Sequence, residues 1–263
     1  MKNKPIGIID SGIGGFSVYQ EIISLLPNES TVYVGDNAYA PYGVLSTETI
    51  YERSIALVSF LLENDAKLIV IACNTITVCC IDKLRKSFPH VAIVGTVPVV
   101  KTAAAVTRNG KIGILSTTRT ADSDYQKSLI TEFAGDKTVS NFGTDLLVPL
   151  IEQGIVEWEK LEHALQPILT DFQKQEVDTL VLGCTHYPFI KKPLQRMLGN
   201  EVQILDSGEA IARQVRRVLE TKEFLAQRTD PERVYYTTGE ARHIDNIAKK
   251  LLGVTIASTT VTL

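Results

Sequence analysis

Two cysteines occupy corresponding positions in the two halves of the chain. Cys73 and Cys184 each follow a short apolar run, and polar residues come next, Asn74-Thr75 in the first half and Thr185-His186 in the second. A single cysteine in such a place is more often a small core residue, but two in equivalent places favour a chemical role. If the halves face each other, one thiol can remove a proton from one side of a carbon atom while the other donates from the opposite side.

Two ionisable residues could assist these thiols. His186 follows Cys184 by two positions, and a protonated imidazole there would lower the pKa of the thiol; a buried structural histidine is the alternative. Asp10 begins the loop 10–15, which contains three glycines and whose free N–H groups and helix dipole favour an anion. Asp10 could cap the following helix, bind an ammonium group or orient Cys73.

A turn at residues 39–43 is a further candidate for ligand binding. It contains Pro41, Tyr42 and Gly43, a composition typical of a rigid turn. Exposed N–H groups in such a turn could hold a carboxylate.

The remaining cysteines, Cys79 and Cys80, are predicted to pack in the core. Adjacent cysteines cannot easily form a disulfide with each other, and the spacing of the four cysteines lacks the short pairs of a structural zinc site. No Schiff-base lysine motif for pyridoxal phosphate is evident in the sequence. We therefore expect reduced thiols, no metal and no cofactor, so the site itself must stabilise a carbanion.

The composition of the 263-residue chain excludes several classes of function. A net charge of −3 and a pI near 5.9 predict no basic face for nucleic acid. An apolar fraction of 44% is that of a globular protein with a buried core. The apolar run before Asp10 is too short for a signal peptide or a membrane span, so the sequence predicts a cytoplasmic protein that does not bind membranes.

The elements that must position these residues alternate between strand and helix. Near-continuous apolar strands separated by helices predict an α/β fold with parallel sheets covered on both faces, and ligands bind such sheets at the carboxyl ends of the strands. The predicted strands are 6–9, 31–34, 68–71, 91–94, 112–115, 180–182 and 202–205, and the predicted helices include 47–63, 122–133 and 158–175.

The halves of the chain resemble each other in their strands and in the residues that come after each strand. This predicts two similar parallel-sheet α/β domains related by a pseudo-twofold axis, with the active site in the cleft between them; the alternative is that any two α/β halves look alike. The tail carries a predicted strand at 233–237 and a helix at 241–252 that the second half does not need. We therefore expect domains formed by 1–97 plus 207–263 and by 98–206.

The motifs, taken together and in order, resemble those of the glutamate racemases of the aspartate/glutamate racemase superfamily over essentially the whole chain. They are Asp10-Ser11-Gly12-Ile13-Gly14-Gly15, Gly35-Asp36, Pro41-Tyr42-Gly43, Ala72-Cys73-Asn74-Thr75, Pro149-Leu150-Ile151-Glu152-Gln153-Gly154, Gly183-Cys184-Thr185-His186-Tyr187-Pro188 and Asp206-Ser207-Gly208.

The resemblance implies a cofactor-independent interconversion of L- and D-glutamate that supplies D-glutamate for peptidoglycan synthesis, by a homodimer. It implies that Cys73 serves the D-enantiomer and Cys184 the L-enantiomer, and that Asp10, Glu152 and His186 are auxiliary acid/base groups. The substrate contacts that it implies are Asp10, Ser11, Pro41, Tyr42, Gly43, Asn74, Thr75, Thr117, Thr185 and His186.

The chain departs from the pattern of the superfamily at three places. Ile76-Thr77 replaces two small residues, Ser116-Thr117-Thr118-Arg119-Thr120 stands where Gly-Thr-x-Gly-Thr is common, and Thr144-Asp145 replaces Cys-Pro. None of these changes removes a predicted catalytic group, but they bear on packing near Cys73 and on the substrate scope.

Three other functions are weighed against this one. A related aspartate or hydantoin racemase or isomerase would keep both cysteines, although Tyr42-Gly43 favours glutamate. A thiol hydrolase using Cys184, His186 and an acid would leave Cys73 unexplained. A non-catalytic binding protein would have no need of either thiol.

Overall fold

The strands form two parallel sheets in the computed structural model, which describes residues 1–263. One sheet has six strands in the order β10-β9-β2-β1-β3-β4, and the other has four in the order β6-β5-β7-β8. The strands are β1 Ile6–Asp10, β2 Thr31–Gly35, β3 Leu68–Ile71, β4 Ala92–Gly95, β5 Lys111–Ser116, β6 Thr138–Gly143, β7 Thr179–Leu182, β8 Gln203–Leu205, β9 Arg233–Thr237 and β10 Ser258–Thr260. The predicted α/β class with two parallel sheets is confirmed.

Eleven α-helices connect and cover the strands. They are α1 Phe16–Leu25, α2 Thr47–Glu63, α3 Asn74–Ser87, α4 Val100–Val106, α5 Thr118–Asp122, α6 Asp124–Ala134, α7 Leu147–Glu152, α8 Trp158–Lys174, α9 Lys191–Leu198, α10 Gly208–Thr221 and α11 Ala241–Leu252. Short 3-10 helices lie at Asn37–Tyr39, Tyr42–Val44 and Tyr187–Ile190. No helix combines the length and the hydropathy that a bilayer-spanning segment requires.

Central strands of both sheets carry the residues predicted to do chemistry. Residues of β1, β3 and β7 are buried throughout, as expected for parallel strands covered on both faces. Asp10 ends β1, Cys73 follows β3, Thr117 follows β5 and Cys184 follows β7. These residues therefore all lie at the carboxyl ends of strands.

The tail adds strands to the sheet that contains the N-terminus. The strand β9 pairs in parallel with β2, and β10 pairs with β9, while α10 packs against α1. On this topology we propose that 1–97 with 207–263 forms domain one and 98–206 forms domain two.

The structure differs from the predicted elements at one helix and two strands. The predicted helix 122–133 corresponds to α6, but α6 begins only at Asp124. Ser123 adopts an extended backbone there, and its side chain caps α6 by accepting a hydrogen bond from Gln126 N. The strands β6 and β10 were not predicted. Both lie at the edge of a sheet and are only partly buried, so neither has the continuous apolar run that marked the others.

Candidate active site

A cavity lies where the two sheets face each other. Both thiols line it. Two of its lining residues, Asp145 and Val148, were not among the predicted site residues, although Thr144-Asp145 is one of the departures from the superfamily pattern. The full lining is Ser11, Pro41, Tyr42, Gly43, Cys73, Asn74, Thr75, Thr117, Asp145, Val148, Cys184, Thr185 and His186.

Cys73 occupies the N-cap position of α3. Its side chain is buried, and the thiol donates a long hydrogen bond to Ser11 Oγ at 3.6 Å. Burial raises the pKa of Cys73 well above its usual value, and the nearby Asp10 carboxylate raises it further. Burial and Asp10 therefore both favour the neutral thiol at Cys73, which is a proton donor.

Cys184 has a different neighbour, the imidazole of His186. The Nδ1 atom of His186 lies 3.7 Å from Cys184 Sγ, and Nε2 lies 2.6 Å from Glu152 Oε1. Burial lowers the pKa of His186, but the hydrogen bonds and negative charge of Cys184 and Glu152 outweigh it and hold the pKa well above its usual value. The charged imidazole of His186 therefore faces the sulfur of Cys184.

Glu152, at the end of α7, is held by the glycine-rich loop of the other sheet. Its Oε1 accepts a hydrogen bond from Ile13 N at 2.8 Å, and its Oε2 accepts one from Asn37 Nδ2 at 3.1 Å. A Cβ atom at Gly12 would lie 1.9 Å from Glu152 Oε1. The anion that this loop binds is therefore the protein's own carboxylate, and a side chain at Gly12 would displace it.

Asp10 lies behind the cavity wall and does not line the cavity. It is fully buried, its Oδ1 accepts from Gly12 N at 2.8 Å, and its Oδ2 accepts from Thr185 Oγ1 at 3.3 Å. Burial raises the pKa of Asp10 to about 6, although the charge of His186 opposes this shift. Asp10 thus fixes the Thr185 hydroxyl, and its charge bears on Cys73.

Hydroxyl and amide groups complete the polar lining. The Thr75 and Thr117 hydroxyl oxygens lie 3.2 Å apart. Asn74 donates a weak hydrogen bond to Thr96 O at 3.4 Å, while its Oδ1 atom is buried without a protein partner. Because a buried polar atom without a partner is costly, Asn74 Oδ1 is suited to accept a hydrogen bond from a ligand.

The turn at 41–43 is fixed from behind by an ion pair. Tyr42 donates a hydrogen bond to Asp36, and Arg53 binds both oxygens of Asp36 at 2.8 and 2.9 Å. Burial and the charge of Asp36 raise the pKa of Tyr42, so its phenol stays protonated. This arrangement holds Gly43 at the edge of the cavity.

The two other cysteines are free and lie outside this cavity. Cys80 is buried in the core, where burial raises its pKa to about 12, and Cys79 is half-buried. No group of three or more His, Cys, Asp or Glu side chains is arranged to hold a metal ion.

Comparisons with known proteins agree on one family. Residues 6–215 match the family model described as Asp/Glu/Hydantoin racemase. A glutamate racemase from Ectopseudomonas mendocina is 41% identical over 95% of each chain. The crystal structure of a glutamate racemase isoform from Bacillus anthracis superposes with a TM-score of 0.89, at 32% identity, over 100% of this chain and 99% of that one. That of the Escherichia coli glutamate racemase, in complex with L-glutamate and the activator UDP-MurNAc-Ala, has a TM-score of 0.84 at 33% identity over 97% of both.

Proposed function

This chain belongs to the Asp/Glu/hydantoin racemase family, and we propose that it interconverts L- and D-glutamate without a cofactor, using two thiols. One observation carries the proposal: Cys73 and Cys184, which follow strands of different sheets, line one cavity. The names of its relatives support glutamate as the substrate, and the Escherichia coli relative was crystallised with L-glutamate.

The proposed reaction is two proton transfers at one carbon. With L-glutamate bound, the Cys184 thiolate takes the α-proton, and the electron pair of the C–H bond remains on the substrate as a carbanion. The Cys73 thiol then donates its proton to the opposite face, which gives D-glutamate and leaves Cys73 as the thiolate. The reverse reaction starts from that state, with Cys73 as base and Cys184 as acid.

The surroundings of the thiols support these roles. The charged His186 favours negative charge on Cys184, whereas burial and Asp10 keep Cys73 protonated. A carbanion beside a carboxylate spreads its charge onto the carboxylate oxygens. Fixed hydrogen-bond donors in a cavity that excludes water stabilise such charge better than water does, and Thr75 supplies a hydroxyl there.

The biological setting is part of the same proposal. We propose that the enzyme supplies D-glutamate for peptidoglycan synthesis, that it works in the cytoplasm, and that it is a homodimer. Val44 and Leu146 are 64% and 60% exposed, and they adjoin Gly43 and Asp145 at the edge of the cavity. Both are apolar side chains, of the kind that the core of a homodimer interface covers. Sedimentation equilibrium tests it: a monomer at all concentrations would exclude the dimer.

A second candidate function rests on the alignment of Cys184, His186 and Glu152. Thiol, imidazole and carboxylate in sequence are the groups that a cysteine hydrolase uses. Such a hydrolase does not need Cys73. Hydrolysis of acyl substrates that persists in Cys73→Ala, with no racemisation by the unmodified enzyme, would favour this candidate.

The decisive experiment is incubation of the purified protein with L-glutamate, after dialysis against a chelator and without added pyridoxal phosphate. Optical rotation should fall to zero, and chiral chromatography should show equal amounts of the two enantiomers. L-aspartate in a parallel reaction should change far more slowly. No rotation change with glutamate, or faster change with aspartate, would contradict the proposal.

A further inference from the structure

Arg119 links the two sheets at the edge of the cavity. It lies in α5, which follows β5 of the four-stranded sheet, and its guanidinium reaches the segment 43–47, which follows β2 of the six-stranded sheet. Nε donates to Gly43 O at 3.2 Å, Nη1 donates to Thr47 Oγ1 at 3.5 Å, and Nη2 donates to Leu45 O. Arginine is suited to this role because its planar group presents several donors in fixed directions.

These bonds depend on the side chain of residue 119, at a place where the chain departs from the pattern of the racemases that it resembles. A glycine at 119 would have no side chain to reach the carbonyl groups of Gly43 and Leu45. Asp145, the second departure nearby, accepts a hydrogen bond from Thr118 N at 3.3 Å and so holds the start of the helix that carries Arg119.

Gly43, the first residue of the segment that Arg119 holds, lines the cavity. A Cβ atom at Gly43 would lie 2.9 Å from Asp145 Oδ1 and 3.6 Å from Thr117 Cβ, so the two domains are nearly in contact there. The hydrogen bonds of Glu152 to Ile13 and Asn37, and that of Thr185 to Asp10, tie the domains elsewhere in the site. A ligand that passes between Gly43 and Asp145 must first separate them.

The contact is of a kind that can open. Asp122, Asp124 and Asp145 line the groove beside Arg119, but none of them forms an ion pair with it. Its three acceptors are neutral oxygens, and hydrogen bonds of this kind are individually modest. Arg119 is also only half-buried, so water can replace these bonds when the segment moves.

We propose that Arg119 is a positioning residue that latches segment 43–47 against domain two and thereby keeps Gly43 in place for the substrate. The expected change in KM rests on the proposed racemase activity. The expected change in hydrogen exchange of segment 43–47 does not rest on it, so failure of the latch and failure of the proposed function are distinguishable.

The test compares Arg119→Ala with Arg119→Lys and with a matched control, Arg242→Ala, which removes an exposed arginine of α11. In Arg119→Ala, amide hydrogen exchange of the ligand-free protein should rise in segment 43–47 and stay unchanged in the loop 10–15. KM for both enantiomers should rise about tenfold, the effect of losing one to two hydrogen bonds, with kcat within about twofold of the unmodified value. Lysine can restore one bond, so the KM and the exchange rate of Arg119→Lys should lie between those of Arg119→Ala and the unmodified enzyme. Arg242→Ala should match the unmodified enzyme.

Unchanged exchange in segment 43–47 would overturn the latch, even if KM rose. Exchange that increased equally throughout the chain would overturn it too, since it would show a general stabilising role. A rise in local exchange without a change in KM would overturn the positioning role.

Discussion

The Nε2 atom of His186 lies 2.6 Å from the Oε1 atom of Glu152, with both side chains largely shielded from solvent. The carboxylate orients the ring so that Nδ1 faces Cys184, and it helps to hold the pKa of the imidazole well above its ordinary value against the opposing effect of burial. Cys73 has the carboxyl of Asp10 nearby instead of an imidazole. The two thiols therefore differ in their electrostatic surroundings, although each follows a central strand of its sheet.

Removing one thiol should stop inversion but leave proton removal by the other. In heavy water, Cys73→Ala should slowly incorporate deuterium at the α-carbon of L-glutamate only, because Cys184 still reaches that face. Cys184→Ala should do the same with D-glutamate only, and racemisation should fall by about 10²- to 10⁴-fold in both. Proton NMR of each enantiomer measures the exchange. Cys80→Ala, which removes a thiol buried in the core outside the cavity, is the control and should behave as the unmodified enzyme. Rapid racemisation by either single variant would mean that one base serves both faces.

His186→Asn should reduce kcat about 10²-fold, the scale of general acid–base assistance, because asparagine cannot carry the positive charge beside Cys184. The same change should slow alkylation of Cys184 by iodoacetamide, which mass spectrometry of the digested protein can follow at pH 7. In the unmodified enzyme Cys184 should react before Cys73. His243→Asn, in the exposed part of α11, is the control. Equal alkylation rates at Cys184 with and without His186 would argue against an electrostatic role for the imidazole.

Asp10→Asn should change the pH dependence of stability as well as lower kcat by about 10²-fold. The pKa of Asp10 is raised from 3.8 to about 6 in the folded protein, so its protonated form favours folding. That contribution is complete below the unfolded pKa and is lost as the pH rises through about 6. Relative to the unmodified protein, the free energy of unfolding of the variant should therefore improve between pH 4 and pH 7, by an amount on the order of 2 kcal/mol. Urea unfolding at both pH values tests this, and a difference independent of pH would refute it.

Asp145→Asn should lower KM for glutamate by about three- to tenfold with little change in kcat. Asp145 is the one carboxylate among the residues that line the cavity, and it forms no ion pair. A substrate with two carboxylates therefore brings like charge toward it. Initial rates at varied glutamate concentration measure the effect, and Asp124→Asn, an acid of the adjoining groove, serves as the control. A rise in KM would mean instead that Asp145 binds the ammonium group of the substrate.

The sequence by itself located the ends of the central strands. Apolar runs followed by Cys73 and Cys184 mark where β3 and β7 stop, because a strand buried on both faces requires continuous apolar residues. Local rules of this kind also predicted α2 and α11 at the bounds that the structure has. They did not predict β6 and β10, since an edge strand buries too little surface to need an apolar run. They also missed the break at Ser123, where a side-chain cap outweighs the helical pattern.

Only the tertiary structure decided which residues meet across the cleft. Nothing in the local pattern around Asp145 or Val148 brings them to the cavity; that depends on how α7 packs beneath the loops of the other sheet. The same holds for the contact of Arg119 with Gly43, which joins residues far apart in the chain, and for Gly12, whose missing side chain leaves room for Glu152. Strand ends follow from the periodicity of neighbouring residues, whereas distances between domains follow from the packing of whole sheets, which no short stretch of sequence determines.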